Sequence, residues 1–337
     1  MKAFFHPSQD KHIPKMFFSR GKMRQPQEVS ERTDRLLEGL RAMGAEVLQP
    51  TDHGAGPLAR VHDLGYLRFL ESAHRRWMEL DDWGDEVMSN IFVRSPNHMH
   101  GILAEAGRYM ADGSSPIGVH TWEAAYWSAQ TALSAADAVL AGDRIAYAVC
   151  RPPGHHARRD ACGGFCYLNN AAIATQHMLS KFPRIAILDT DMHHGQGIQE
   201  IFYRRSDVLY ISIHGDPTNF YPGIAGFEDE RGEGEGYGYN INMPMPHGST
   251  EEYFFGKLED AMAAVGLFQP DALVLPLGFD IYRNDIQAKV AVSTEGFYRL
   301  GSRISRACLP MLVVQEGGYD LATLSTNVQQ FFKGLSS

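Results

Sequence analysis

From residue 145 onward, short apolar runs alternate with helical patterns, and this alternation leaves few folds open. The runs 145–150, 184–188, 208–213, 272–277 and 311–314 have the length and composition of buried strands. Helical patterns at 169–179, 251–265, 294–307 and 324–333 separate or follow them. Consecutive parallel strands need crossover connections, which are usually helices. The pattern therefore predicts an α/β fold, a doubly wound and mostly parallel sheet with helices on both faces. Earlier in the chain, 1–5 and 45–48 read as strands, and 31–43, 63–80 and 121–140 as helices. Residues 6–26 read as a surface loop. Residues 81–120 have no settled period and read as a lid, binding loop or interface arm. The glycine-rich 232–238 lacks the basic residue and helix start of a phosphate loop, which leaves a turn or lid. Residues 1–337 are expected to form one domain, with 81–120 as an insertion or interface region.

In such folds the site forms outside the carboxyl ends of the strands. Four ends carry polar residues: Cys150-Arg-Pro-Pro-Gly-His-His156, Asp189-Thr-Asp-Met-His-His-Gly195, Leu277-Gly-Phe-Asp280 and Gln315-Glu-Gly-Gly-Tyr319. Uncompensated acids at the mouth of a buried strand are costly, and a metal would neutralise them. Asp191, His193 and Asp280 can assemble a site with a position left open for water and a carbonyl. Asp189 is different. Alternate strand residues sit about 6.5 Å apart, so 189, 191 and 193 cannot all ligate one ion unless the chain bends after Asp191. That makes Asp189 a supporting group or the ligand of another cation. His155 and His156 follow Pro-Pro-Gly, which fixes the backbone, and suit proton transfer to and from water and a leaving amine. Tyr319, after two glycines, can offer its hydroxyl to a developing oxyanion.

These segments resemble the zinc-dependent histone deacetylase family, within the arginase–deacetylase superfamily, and most closely its bacterial acetylpolyamine amidohydrolases. Gly164-Phe-Cys-Tyr-Leu-Asn-Asn170, Val61-His62-Asp63 and Gly65-Tyr-Leu-Arg-Phe-Leu70 extend the likeness. The resemblance implies the arginase–deacetylase fold, with Zn2+ (or Fe2+) held by Asp191, His193 and Asp280. It implies His156 as general base and acid, His155 as its electrostatic partner and Tyr319 as the carbonyl polariser. It implies a structural K+ on the side chains of Asp189 and Ser212 and the carbonyls of Asp191, His193 and Ile213. A second cation would use the carbonyls of Phe202, Arg205, Val208 and Tyr239. The acyl-amine tunnel would be walled by Phe165 and Tyr221, with Gly164 nearby. Glu105 is the acid placed to read a distal ammonium, with Asp112 and Glu123 as other candidates.

Two residues depart from the family pattern. Gln196 stands where relatives often carry Asp or Asn facing the second histidine, so His156 has an amide partner without a charge. Tyr221 stands where many relatives carry phenylalanine. Residues 81–120 fall where the polyamine-directed relatives build a dimer interface over the active-site mouth. The expected substrate is thus a small acetylated cationic amine, and the expected assembly a homodimer. A protein or peptide acetyl-lysine deacetylase is the alternative. A binding or sensing protein that kept the tunnel and lost turnover is a third reading. Paired manganese of the arginase kind lacks its extra acids, since those positions fall at Gly195 and Tyr282.

The formal charge of -9 argues against a duplex nucleic acid partner. No apolar run of about 18 residues is available to span a membrane. The four cysteines and the lack of a secretory leader pattern are expected of a cytoplasmic protein with reduced thiols.

Overall fold

The computed structural model describes residues 1–93 and 99–337. Strands β1 (Lys2–Phe4), β4 (Glu46–Leu48), β5 (Ile145–Ala148), β6 (Ile185–Asp189), β7 (Val208–Gly215), β8 (Asn240–Met245), β9 (Ala272–Leu277) and β10 (Met311–Gln315) form one sheet. Their order is β4-β1-β5-β10-β9-β6-β7-β8, and every pairing is parallel. The doubly wound sheet predicted from the strand–helix alternation is present.

Both faces are covered. One core holds α2 (Gly56–Ala59), α3 (Leu64–Trp77), α4 (Ile102–Tyr109), α5 (Thr121–Leu140), α6 (Asn170–Met178) and α7 (Gln196–Phe202). The other holds α1 (Glu31–Ala42), α8 (Glu251–Phe268), α9 (Thr294–Ser305) and α10 (Leu324–Leu335). Central strands such as β6 and β9 are buried at every position, which is why they read as unbroken apolar runs. Asp63 caps α3, accepting from the N–H groups of Gly65 and Tyr66, and Asn169 caps α6 from Ala172. Ser293, one residue before the expected Thr294, caps α9.

Three segments differ from the sequence expectation. Residues 6–26 are not a surface loop. Gln9 and His12 are buried there, and β2 (Phe17–Ser19) pairs with β3 (Lys22–Arg24) in a hairpin. Arg20 and Gly21 turn it with positive φ at both positions, as tight hairpins require. Residues 81–120 contain α4, whose buried Ile102 and Ala106, followed by buried Met110, lie four residues apart on the face toward α3. Strand β8 was missed because its buried Asn240 and Asn242 bond side chain to side chain with Gln199 and, for Asn242, with Glu230 as well, so no apolar alternation marks it. All four cysteines are free, with Cys150, Cys162 and Cys166 buried and Cys308 exposed.

Candidate metal centre and its cavity

β6 ends at Asp189 and the chain bends over 191–193, which turns Asp191 and His193 into one site while Asp189 stays behind it. Asp280 arrives from the end of the neighbouring strand β9. Asp191, His193 and Asp280 are buried and offer ligand atoms within 4.8 Å of one another. Their other atoms are already committed. Asp191 Oδ1 accepts the N–H of His193 at 2.9 Å and Oδ2 that of Gly317 at 2.7 Å. Asp280 Oδ1 accepts the N–H of Met192 at 3.0 Å, and its Oδ2 lies 3.2 Å from His193 Nδ1.

Charge is crowded in this cluster. Burial and the charge of Asp191 push Asp280 up to about 7. Burial opposes charging His193, yet Asp191 and Asp280 raise it to about 9. Two carboxylates and an imidazole, buried and mutually oriented, fit a divalent metal ion. A Cβ at Gly317 would come within 2.6 Å of both Asp191 Oδ2 and Asp280 Oδ2, so glycine is needed to bring that backbone N–H in close.

The loop after β5 delivers the two histidines, with ring centroids 3.9 Å apart. His155 Nδ1 donates to Asp189 Oδ2 at 3.0 Å, and Tyr210 donates to the same oxygen at 3.1 Å. His156 Nδ1 lies 2.7 Å from Gln196 Oε1. The environments split the pair. Burial lowers both, but Asp191 and Asp189 reverse this for His155 and raise it to about 10. His156 stays well below its ordinary value through burial and the neighbouring His155 and His193. Below them Glu316 Oε2 accepts the N–H groups of Gly154 at 2.7 Å and His155 at 3.1 Å. Burial raises the Glu316 carboxyl to about 7. Arg151 anchors the same loop through Glu28 Oε1 at 2.9 Å and the carbonyls of Gln9 and His12.

A cavity of about 760 Å³ opens onto these groups. His155, His156, Asp191, His193 and Tyr319 lie at its lining, with Phe17, Phe165, Phe220 and Tyr221 as aromatic walls. Gly164 has φ +56, and a Cβ there would meet the rings of His156 and Tyr221. Sequence reasoning missed the hairpin, whose Phe18, Arg20 and Arg24 reach the rim; the Arg20-Gly21 turn was the available signal. It also missed Asp285, which accepts the N–H of Tyr319 at 2.6 Å.

The expectation for Glu105 is corrected. It sits on α4 in a two-pronged pair with Arg76, both contacts 2.6 Å, and does not line the cavity. Glu123, on α5, pairs with Lys11 and accepts from Ser8. Of the three acids considered, Asp112 lines the cavity. Ser212 is the register partner of Asp189, its hydroxyl 2.8 Å from His214 Nδ1, and Ile213 follows it in β7. The carbonyl of Phe202 accepts from Arg205 and that of Tyr239 from Tyr210, while Val208 opens β7. His194 turns away from the metal cluster, its Nε2 3.2 Å from Asn242 Oδ1.

The family model for the histone deacetylase domain matches residues 25–335. This chain belongs to the histone deacetylase family. It is 62% identical to an acetylpolyamine amidohydrolase of Burkholderia pseudomallei, over 100% of this chain and 99% of that one. It is 43% identical to acetylpolyamine amidohydrolase 1 of Pseudomonas aeruginosa, over 93% and 92% of the two chains. The crystal structure of an acetylpolyamine aminohydrolase from Burkholderia pseudomallei superposes with a TM-score of 0.99, covering 100% of this chain and 99% of that one. All the strand-end residues described above fall inside the matched deacetylase domain, whereas the hairpin strands β2 and β3 lie before its start. Among the described residues of this family member, Asp191, His193 and Asp280 are the one group with metal-holding geometry. No described helix is long and apolar enough to cross a membrane.

Proposed function

We propose that this histone deacetylase family member is an amidohydrolase that removes acetyl groups from acetylated polyamines or similar small cationic amines. The carrying observation is that the Asp191, His193 and Asp280 cluster reaches, through Asp191 and His193, the same cavity as His155, His156 and Tyr319, walled by Phe165, Phe220 and Tyr221. Zn2+, or Fe2+, held by Asp191, His193 and Asp280 would act as a Lewis acid toward water and the amide carbonyl.

The chain's own residues divide the remaining work. Aromatic walls hold an alkyl chain and exclude bulk water, so the amide reaches the end of the cavity without its own hydration shell. His156, bonded to Gln196 through Nδ1, presents Nε2 to the cavity. It takes the proton of the attacking water and returns it to the leaving amine nitrogen. His155, charged and held by Asp189, favours the transfer electrostatically. Tyr319 donates its hydroxyl to the acyl oxygen as negative charge grows there. Asp285 and Arg32 fix the backbone and ring of that tyrosine.

We further propose a structural K+ at Asp189 and Ser212 with the carbonyls of Asp191, His193 and Ile213. The burial and registry of those two side chains support it. A second cation at the carbonyls of Phe202, Arg205, Val208 and Tyr239 follows from family likeness alone. Both would show as K+-dependent thermal stability. A homodimer over the mouth accords with the exposed Phe18, Phe92 and Ile286 at the rim, and sedimentation velocity tests it. Within the single domain we assign to 1–337, the described residues of 81–120 would form that interface, 94–98 lying outside the described residues.

The decisive experiment compares steady-state hydrolysis of acetylputrescine, acetylspermidine and an acetyl-lysine peptide by the zinc-loaded protein. Preference for the polyamines supports the proposal, and preference for the peptide replaces it with protein deacetylation. If zinc is bound and none of the three releases acetate, the chain is a binding protein instead.

A further inference from the structure

The amide at Gln196 poses a chemical problem that a carboxylate would not. A carboxylate facing His156 Nδ1 can only accept, so it forces the proton onto Nδ1 and leaves Nε2 free as a base. An amide can face the ring either way. With its oxygen toward Nδ1 the outcome is the same. With its NH2 toward Nδ1 the ring must accept there, and the proton moves to Nε2, where it blocks the base. Something has to choose between the two orientations.

The structure supplies it in a chain of bonds running outward to the rim. Gln196 Nε2 donates to the hydroxyl of Tyr221 at 3.3 Å. Tyr221 donates to Asp112 Oδ2 at 2.7 Å. Asp112 is itself fixed, its Oδ1 accepting the N–H of Ser114 at 2.8 Å and its Oδ2 that of Gly164 at 3.3 Å. Because the carboxylate accepts, the phenol proton is committed to it. Burial and Asp112 hold the Tyr221 phenol well above its ordinary value, so that proton stays in place. The phenol oxygen is then left to accept, and only the NH2 end of Gln196 can satisfy it. The amide oxygen consequently faces His156 at 2.7 Å. Tyr221 also packs edge-on against the His156 ring, centroids 4.7 Å apart, which keeps the relay short.

We propose that Tyr221 and Asp112 are positioning residues that select the tautomer of His156 by orienting Gln196. The proposal rests on the reading of His156 as the proton carrier in amide hydrolysis. Phenylalanine at 221 would line the cavity equally well, but could not read the two ends of an amide. Gln196 and Tyr221, the two departures from the family pattern, thereby become one device.

The test uses zinc-loaded protein with wild-type sequence, Tyr221→Phe, Gln196→Glu and the double variant. Turnover of acetylputrescine, zinc content and the imidazole tautomer, read by two-bond 1H–15N NMR, are measured for each. Tyr221→Phe is expected to lower kcat about ten- to hundredfold with zinc retained and KM nearly unchanged. Its His156 should show an Nε2–H population that wild type lacks. In the Gln196→Glu background the same tyrosine change should cost little, since a carboxylate needs no orienting. Asp112→Asn, which lets the phenol reverse, should reproduce the mixed tautomer with Tyr221 intact. An unchanged Nδ1–H tautomer in Tyr221→Phe, or equal losses in both backgrounds, overturns the proposal. If wild type hydrolyses none of the substrates, the functional reading fails while the NMR arm still decides the tautomer question.

Discussion

Arg32 lies against Tyr319, its guanidinium carbon 4.9 Å from the phenol ring centroid. The same guanidinium donates to the carbonyls of Glu316 and Gly318, each at 2.6 Å, and to Glu28 at 2.8 Å. One buried side chain thus grips the loop before the tyrosine at two points and braces its ring. Lysine keeps the charge but cannot span those acceptors. Arg32→Lys is expected to destabilise the protein by about 1–3 kcal/mol in denaturant unfolding and to lower kcat. Unchanged stability and turnover would remove Arg32 from the account.

Tyr319→Phe separates the hydroxyl from its scaffold. The ring, the Arg32 contact and the backbone bond to Asp285 all remain. A loss of about 10²–10³ in kcat is expected, with metal content and melting temperature kept. Turnover within a few-fold of wild type would exclude the hydroxyl from stabilising the acyl oxygen.

Gly317→Ala tests the metal centre without touching a ligand. The new methyl would crowd Asp191 and Asp280 and disturb the 2.7 Å bond from the residue 317 N–H. Zinc affinity, measured by competition with a chromophoric chelator, should fall about 10–100-fold. In the wild type, chelation should abolish turnover and added zinc should restore it.

Part of the acid sensitivity should arise away from the catalytic cavity. Burial lowers His12 and His62 to about 4, against an ordinary value of 6.5. His62 Nε2 accepts the N–H of Asn169 at 2.9 Å and its Nδ1 donates to the carbonyl of Arg158 at 3.0 Å, so a second proton breaks a bond. Between pH 6.5 and 4 the unfolded chain binds protons that the folded one refuses. Stability is therefore fully present above about 6.5 and is lost as pH falls toward 4, by up to about 3 kcal/mol per histidine. His62→Gln should lower stability at neutral pH and flatten the decline, read from urea midpoints across that range.

Glu105→Ala should leave the ranking of acetylated substrates unchanged and cost no more than about 1 kcal/mol, because the partly exposed Arg76 pair is what it breaks. A lost preference for charged tails would restore Glu105 as a substrate contact.

The strand ends were legible because chemistry there is concentrated in a few residues on either side of apolar runs. Asp191, His193, Asp280 and Tyr319 are within four residues of a strand end, and His155 and His156 within eight. What stayed hidden depends on partners far along the chain. Glu105 and Asp112 look alike in sequence, and only Arg76 against Tyr221 distinguishes them. Gln9 and His12 read as loop residues, yet Arg151 draws them inside. The helix α7 opens with Gln196-Gly197 and runs seven residues, too short for periodicity to show.

The strand order gives β10 an unusual place. It is the last strand in the chain, yet it lies between β5 and β9 in the middle of the sheet. A nascent chain ending before Met311 would have its two halves of the sheet separated by an open slot. It would lack Tyr319 and the 317 N–H that Asp191 accepts. Catalytic competence should therefore switch on late in synthesis and refolding. Metal capture should track insertion of this keystone strand, and chains truncated before it should be prey to proteases and chaperones, not slow enzymes.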